Sequence, residues 1–110
     1  MEINLLKRLA CEQIDKHSLE IQNIAEEVLC HPEIGFQEVL TAKRVESELN
    51  KLAIPINTNL AVTGVKGKLS GAHSGPNIGI ISELDALIVK DHPHSNPATH
   101  SAHACGHNCQ

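Results

Sequence analysis

The stretch Ile78-Gly79-Ile80-Ile81-Ser82-Glu83-Leu84 constrains this chain more than any other. It is almost wholly apolar, which predicts a central strand buried on both faces. A strand of that kind has to be covered by other layers, and the flanking sequence offers helices to do so. Residues 3–30 predict one long amphipathic helix. Leu6, Leu9, Ile14, Ile21, Ile24, Ala25 and Val28 recur near the helical period, with Glu, Lys and Gln between them. Pro32 pushes His31 out of helical geometry, and Pro32 and Gly35 bracket a turn. A second amphipathic helix is predicted from about Gln37 to Ala53, with Val39, Ala42, Val45, Leu49 and Leu52 on its buried side. Pro55 ends it.

Beyond Pro55 the period becomes strand-like. Residues 56–62 and 64–69 predict two short strands, and 70–77 a turn-rich connector. Residues 88–102, with Pro, Asn and His and no period, predict a loop. The expected order is α-α-β-β-β, an α/β fold with helices packed on a mixed sheet. Phe36 is the only aromatic residue, so the core is expected to be aliphatic, built from Leu, Ile, Val and Ala. The formal charge is -4 with Lys and Arg spread thinly, which argues against nucleic-acid binding. No apolar run is long enough for a membrane span, and residues 1–4 lack the form of a signal peptide, so a cytoplasmic protein is expected. Cys11 and Cys30 lie on one predicted helix, roughly 28 Å apart at about 1.5 Å per residue, too far for a disulfide.

The strand leads into Glu83 and Asp85, at i and i+2, on the same face of a regular strand. Carboxylates at the carboxyl end of a central strand stand where ligand sites of α/β sheets form. The competing reading is a strand end meeting water. The last eight residues, His103-Ala104-Cys105-Gly106-His107-Asn108-Cys109-Gln110, hold two histidines and two cysteines. Thiolate and imidazole are ligands that zinc and similar cations prefer, and Gly106 lets Cys105 and His107 turn toward one ion. The alternative is a buried cysteine beside a surface histidine. A local site that also used His103 and Cys109 would be strained. His17, His31, His73, His92, His94 and His100 read as surface, helix-end, turn or loop residues. Gly106-His107-Asn108 resembles a helix start.

One family resemblance runs through these pieces in register. His31-Pro32-Glu33-Ile34-Gly35-Phe36-Gln37-Glu38, Thr41-Ala42, Thr63-Gly64-Val65, Gly75-Pro76, Ile78-Gly79-Ile80, Glu83-Leu84-Asp85-Ala86-Leu87 and His103-Ala104-Cys105-Gly106-His107-Asn108 together resemble the zinc amidohydrolases of metallopeptidase family twenty. That group includes hippurate hydrolases, aminoacylases, indole-acetyl-amino-acid hydrolases and aminobenzoyl-glutamate hydrolases. Asn108, where many members carry Asp, resembles the aminobenzoyl-glutamate and dipeptidase-like branch.

The resemblance implies a two-metal site of divalent cations, zinc first, with manganese and cobalt as the other candidates. It implies Cys105 and His107 as metal ligands and Asp85 as the carboxylate that orients a ligand. Glu83 stands where the amidohydrolase branch usually has Asp, and His103 belongs to the motif in a supporting role. The implied reaction is metal-assisted hydrolysis of the amide bond of an N-acyl amino acid or dipeptide-like small molecule. The family's general base, its remaining ligands and its lid or dimerisation domain match no residues of this sequence. Residues 1–110 are therefore expected to be the first portion of a catalytic domain, inactive alone, either missing a C-terminal portion or completed in a homo-oligomer. Two other readings stand beside this one: a non-catalytic Cys/His metal-binding module, and an inactive remnant that associates with a partner chain.

Overall fold

In the computed structural model, which describes residues 2–110, the predicted N-terminal helix is two helices. Helix α1 spans Ile3–Lys16 and α2 spans Ser18–Cys30. The break falls at His17, whose ψ of 10° leaves the helical range while its N–H still reaches the carbonyls of Gln13 and Ile14. Tertiary support differs across that break. Helix α2 is tied to its surroundings by Glu27, which pairs with Arg44 at 3.2 Å, and by the Ala25 carbonyl, which accepts from Asn108. Neither helix has a buried residue, so little packing holds the two in one straight rod.

Helix α3, Val39–Lys51, is shorter at both ends than the sequence predicts. Its N-terminus is closed from a distance. Glu33 Oε2 accepts from the Leu40 N–H at 3.0 Å, and Oε1 accepts from the Thr41 N–H and hydroxyl, both at 2.8 Å. The carboxylate thus satisfies free N–H groups at the positive end of the helix. At the other end, Ala53 takes a left-handed φ of 54°, Ile54 N–H reaches Leu49 O and Ala53 N–H reaches Asn50 O. This is a Schellman closure made without glycine, and Pro55 follows it.

Strands β1 (Ile56–Leu60) and β2 (Gly64–Gly67) form an antiparallel hairpin with an irregularity between Asn57 and Leu60. Gly64 is required there, because a Cβ would stand 2.6 Å from the Leu60 carbonyl oxygen. The hairpin packs on α3, where Gly67 lies against Leu49 and Ile54. Strands β3 (Leu87–Ile88) and β4 (Ser101–Ala102) make a second antiparallel pair. The intervening residues turn around Asn96, whose Oδ1 accepts from Ala98 and Thr99. Ala86, at the entrance to β3, bridges Ile34 in parallel and donates its N–H to Glu33 O at 2.8 Å. The class is α/β as expected. The order is α-α-α-β-β-β-β, and the strands form small antiparallel pairs with one parallel bridge instead of one mixed sheet.

Further expectations are corrected: residues 88–102, expected as loop, hold Ile88 of β3 and all of β4. Residues 78–84 form no strand, and Ile78, Ile80 and Ile81 are 89%, 95% and 94% exposed. The run has the composition of a buried strand, but no other strand of the described residues pairs with it, and a strand is defined by its neighbours. The core is also smaller than an aliphatic composition suggests. Its buried apolar residues are Ala42, Ala86 and Ala102, and its buried polar ones are Glu38, Thr41, Ser101 and His103. Ser101 Oγ donates to the Pro32 carbonyl at 2.7 Å, which ties β4 to the turn after α2. This small-residue junction is the floor on which the candidate site stands. No helix of the described residues is long and apolar enough to cross a membrane.

Candidate metal centre

Three backbone segments converge above that floor. The Ile34–Ala86 bridge fixes Asp85 at the entrance to β3. Strand β4 delivers His103, after which the chain reverses: Gly106 N–H reaches His103 O at 3.1 Å, and Gly106 takes a φ of 83°. A single 3-10 turn, His107–Cys109, follows. The left-handed residue in this turn explains why glycine stands between Cys105 and His107.

The turn presents His107 to Asp85. The ring Nδ1 lies 3.1 Å from Asp85 Oδ1 and 2.9 Å from the Asp85 carbonyl oxygen. On the opposite edge, Nε2 lies 2.9 Å from Glu83 Oε2. Glu83 is itself steadied by its N–H, which donates to Gln110 Oε1 at 2.6 Å. Donor atoms of Glu83, Asp85 and His107 all lie within 4.8 Å of one another. Cys105 sits at the rim, with Sγ 3.7 Å from the same Asp85 carbonyl.

This geometry tests the chemistry of the site. A neutral imidazole carries one N–H and one lone pair. Asp85 offers only acceptors to Nδ1, and Glu83 only an acceptor to Nε2. With the proton on Nδ1 alone, the Nε2 lone pair faces a carboxylate oxygen; a cation between them resolves this, either a second ring proton, which pairs His107 with both carboxylates, or a metal ion. The remaining donors, a carboxylate and a nearby thiol, suit a borderline-soft divalent ion. The residues present fit a metal.

His103 occupies a different environment. It is 4% exposed, and neither ring nitrogen has a hydrogen-bond partner among the described residues. Burial lowers its pKa below the ordinary value of 6.5; His107 adds to this, while the Asp85 and Glu33 carboxylates oppose it. The ring is therefore biased toward its neutral form.

Of the residues singled out from sequence, Glu83, Asp85 and His107 come together, Cys105 touches the Asp85 carbonyl but stands outside that cluster, and the His103 ring has no hydrogen-bond partner among the described residues. Three contacts are not foreseen from the sequence: Gln110 behind Glu83, Asn108 reaching α2, and Glu33 linking the α3 cap to the backbone of Ala86. Each acts through a long-range contact that spacing does not encode.

The α/β frame carries an Asp–His–carboxylate cluster that is a candidate metal site, and comparison with known proteins shows what the chain resembles. The chain is homologous to part of the amidohydrolases and peptidases of metallopeptidase family twenty. It is 33% identical over 110 residues to YhaA, a Bacillus subtilis protein named as an amidohydrolase, matching 97% of this chain and 28% of that protein. It is 32% identical over 91 residues to hippurate hydrolase of Campylobacter jejuni, matching 80% of this chain and 24% of that protein. N-acetylcysteine deacetylase of Bacillus subtilis is 36% identical over 81 residues, matching 70% of this chain and 21% of that protein. Among solved structures, the YXEP protein of Bacillus subtilis, a dinuclear metal binding peptidase of the same family, superposes with a TM-score of 0.75 at 31% identity. That match covers 86% of this chain and 28% of the other. No protein-family model matches the chain. The chain thus spans between 21% and 28% of the length of these curated relatives.

Proposed function

We propose that this chain carries part of the metal centre of an amidohydrolase that cleaves the amide bond of N-acyl amino acids or dipeptide-like small molecules. The observation that carries this reading is His107 clamped between Asp85 at Nδ1 and Glu83 at Nε2, with Cys105 beside it. In the proposed site Asp85 fixes the ring and its tautomer, so that Nε2 is the metal-facing nitrogen. Glu83 and the Cys105 thiolate are the co-ligands. A bound divalent ion, zinc foremost, would supply Lewis-acid polarisation of the scissile carbonyl and an activated water. Among the described residues there is one such three-residue cluster, whereas the YXEP relative is dinuclear. The reading therefore assigns the second ion and the general base to groups outside this cluster, from further polypeptide or from another copy of the chain. Asn108 favours aminobenzoyl-glutamate-like substrates within the class. A cytoplasmic location accompanies the reading.

The test has two parts. The 110-residue chain should take up about one equivalent of zinc or cobalt, with cobalt giving a thiolate charge-transfer band that Cys105→Ala abolishes. Alone, with zinc, manganese or cobalt, it should not turn over hippurate-like or aminobenzoyl-glutamate-like substrates. The corresponding segment of the Campylobacter hippurate hydrolase, replaced by residues 1–110, should retain amide hydrolysis. A replacement that loads metal yet hydrolyses nothing would favour a non-catalytic Cys/His metal-binding module.

A further inference from the structure

The turn that leads from α2 into α3 holds one residue in a conformation its side chain disfavours. Residues 34–37 form a β-turn closed by the Gln37 N–H, which donates to the Ile34 carbonyl at 3.0 Å. Phe36 stands at the third position of this turn with a φ of 64°, the left-handed region that glycine fills at no steric cost. Its ring is 71% exposed, so packing of the ring does not hold it there. A bulky residue stays in that region only where its surroundings fix it.

Both ends of the turn are fixed. At its start, Ile34 bridges Ala86 in parallel, and the Glu33 carbonyl accepts from the Ala86 N–H at 2.8 Å. Past its end comes Glu38, which is buried, and whose Oε2 accepts from the Thr63 hydroxyl at 2.7 Å. This contact spans 25 residues and is the one side-chain hydrogen bond of Glu38 among the described residues. The same residues converge on the metal centre. A Cβ built on Gly35 would stand 3.9 Å from Glu38 Oε1 and 4.0 Å from the Asp85 Cβ, so the buried carboxylate and the base of the Asp85 side chain meet at Gly35.

We propose that Glu38 is a positioning residue of the metal centre: latched by Thr63, it holds the strained Gly35–Phe36 turn against Asp85, the residue that orients His107. The latch supplies the restraint that glycine at position 36 would make unnecessary. The inference rests on the proposed metal reading and adds to it the turn that sets Asp85.

The experiment uses the 110-residue chain, first without metal and then with zinc. Thr63→Val removes the hydroxyl and keeps the shape of the side chain. Without metal it should speed amide exchange at Gln37 and Ala86 by about tenfold, the effect of one lost hydrogen bond, and leave the amides of α2 unchanged. With zinc it should weaken binding by about tenfold, the loss typical when a group supporting a ligand is removed. Thr63→Ser, which keeps the hydroxyl, should match the parent in both measurements. Phe36→Gly added to Thr63→Val should restore both, because glycine holds the left-handed turn without a latch. Parental zinc affinity in Thr63→Val, or exchange that quickens equally in the turn and in α2, would overturn the proposal alone, as would a double variant that recovers nothing. A parent chain that takes up no zinc would overturn the metal reading and the positioning role with it. Should Thr63→Val fail to fold, the double variant decides: parental zinc affinity supports the latch, and weakened affinity overturns it.

Discussion

Asp85 holds His107 through two atoms at once, its side-chain Oδ1 at 3.1 Å and its backbone carbonyl at 2.9 Å from the same ring nitrogen. The carbonyl is positioned by the parallel bridge of Ala86 to Ile34 and survives any substitution at position 85. Asp85→Asn should therefore keep the ring orientation and lose mainly charge, whereas Asp85→Ala removes the carboxylate support altogether. The expected order of zinc affinity by calorimetry is parent, then Asn, then Ala, with Ala weaker by roughly 10–100-fold. The metal-free melting temperature should change little, because the Asp85 side chain is 36% exposed. Equal affinities for all three would remove Asp85 from the site.

Glu83 separates a salt-bridge role from a ligand role. Its side chain is 60% exposed, so its pairing with His107 Nε2 contributes little to the stability of the chain. Glu83→Gln should leave metal-free denaturation unchanged and weaken cobalt and zinc binding by about tenfold or more, since one anionic oxygen leaves the cluster. Unchanged metal affinity would reduce the contact to a surface ion pair.

Glu33 links the stability of the fold to the placement of the site. Its carboxylate caps α3 through Leu40 and Thr41, and its carbonyl holds the Ala86 N–H next to Asp85. Loss of a helix cap costs about 0.5–2 kcal/mol. Glu33→Ala should fall toward the upper end of that range in urea denaturation, because three hydrogen bonds are lost. Glu33→Gln should fall between the parent and Ala, since its one oxygen can accept from Thr41 while its NH2 cannot accept from the Leu40 N–H.

Gly106 tests the turn itself. Its φ of 83° is unfavourable for any L side chain, yet a Cβ would meet nothing within 4 Å. Gly106→Ala therefore isolates backbone strain, about 1–2 kcal/mol, from steric clash. The strain falls on the turn that brings His107 to Asp85, so the variant should bind zinc more weakly while α1, α2 and α3 keep their helical circular dichroism. Parental zinc affinity in Gly106→Ala would show that the turn can relax without cost to the site.

Sequence and structure agree best where the information is local. Glu83, Asp85 and His107, singled out by residue type, come together without the regular strand that their spacing assumed, and Cys105 stays at the rim. Helix α3 and the hairpin follow their periodicities to within a few residues. What spacing does not carry is tertiary support. The break at His17 follows from α1 having nothing to pack on, and Glu33 as a distant cap reads in sequence as one more acidic turn residue. His103, to which the resemblance gives a supporting role, is buried with no hydrogen-bond partner among the described residues, an environment that spacing does not encode.

The segment 78–84 shows the same limit and yields the last prediction. Ile78, Ile80 and Ile81 have the β-branched, uncharged character of a buried strand, and all three are almost fully exposed. Apolar backbone of this kind, with unpaired N–H and C=O groups, is a template for pairing with another strand. A charged side chain placed there should interfere with such pairing without disturbing the fold. Ile80→Lys is expected to change the chain's unfolding free energy by no more than about 0.5 kcal/mol, since an almost fully exposed side chain contributes little packing. The same substitution should shift sedimentation toward the 11.9 kDa monomer at concentrations where the parent associates. A large fall in stability from Ile80→Lys would show instead that this segment packs against its own chain in solution. Unaltered association would move the contact surface to the exposed face of α1, where Ile3, Leu6, Leu9 and Ile14 lie open.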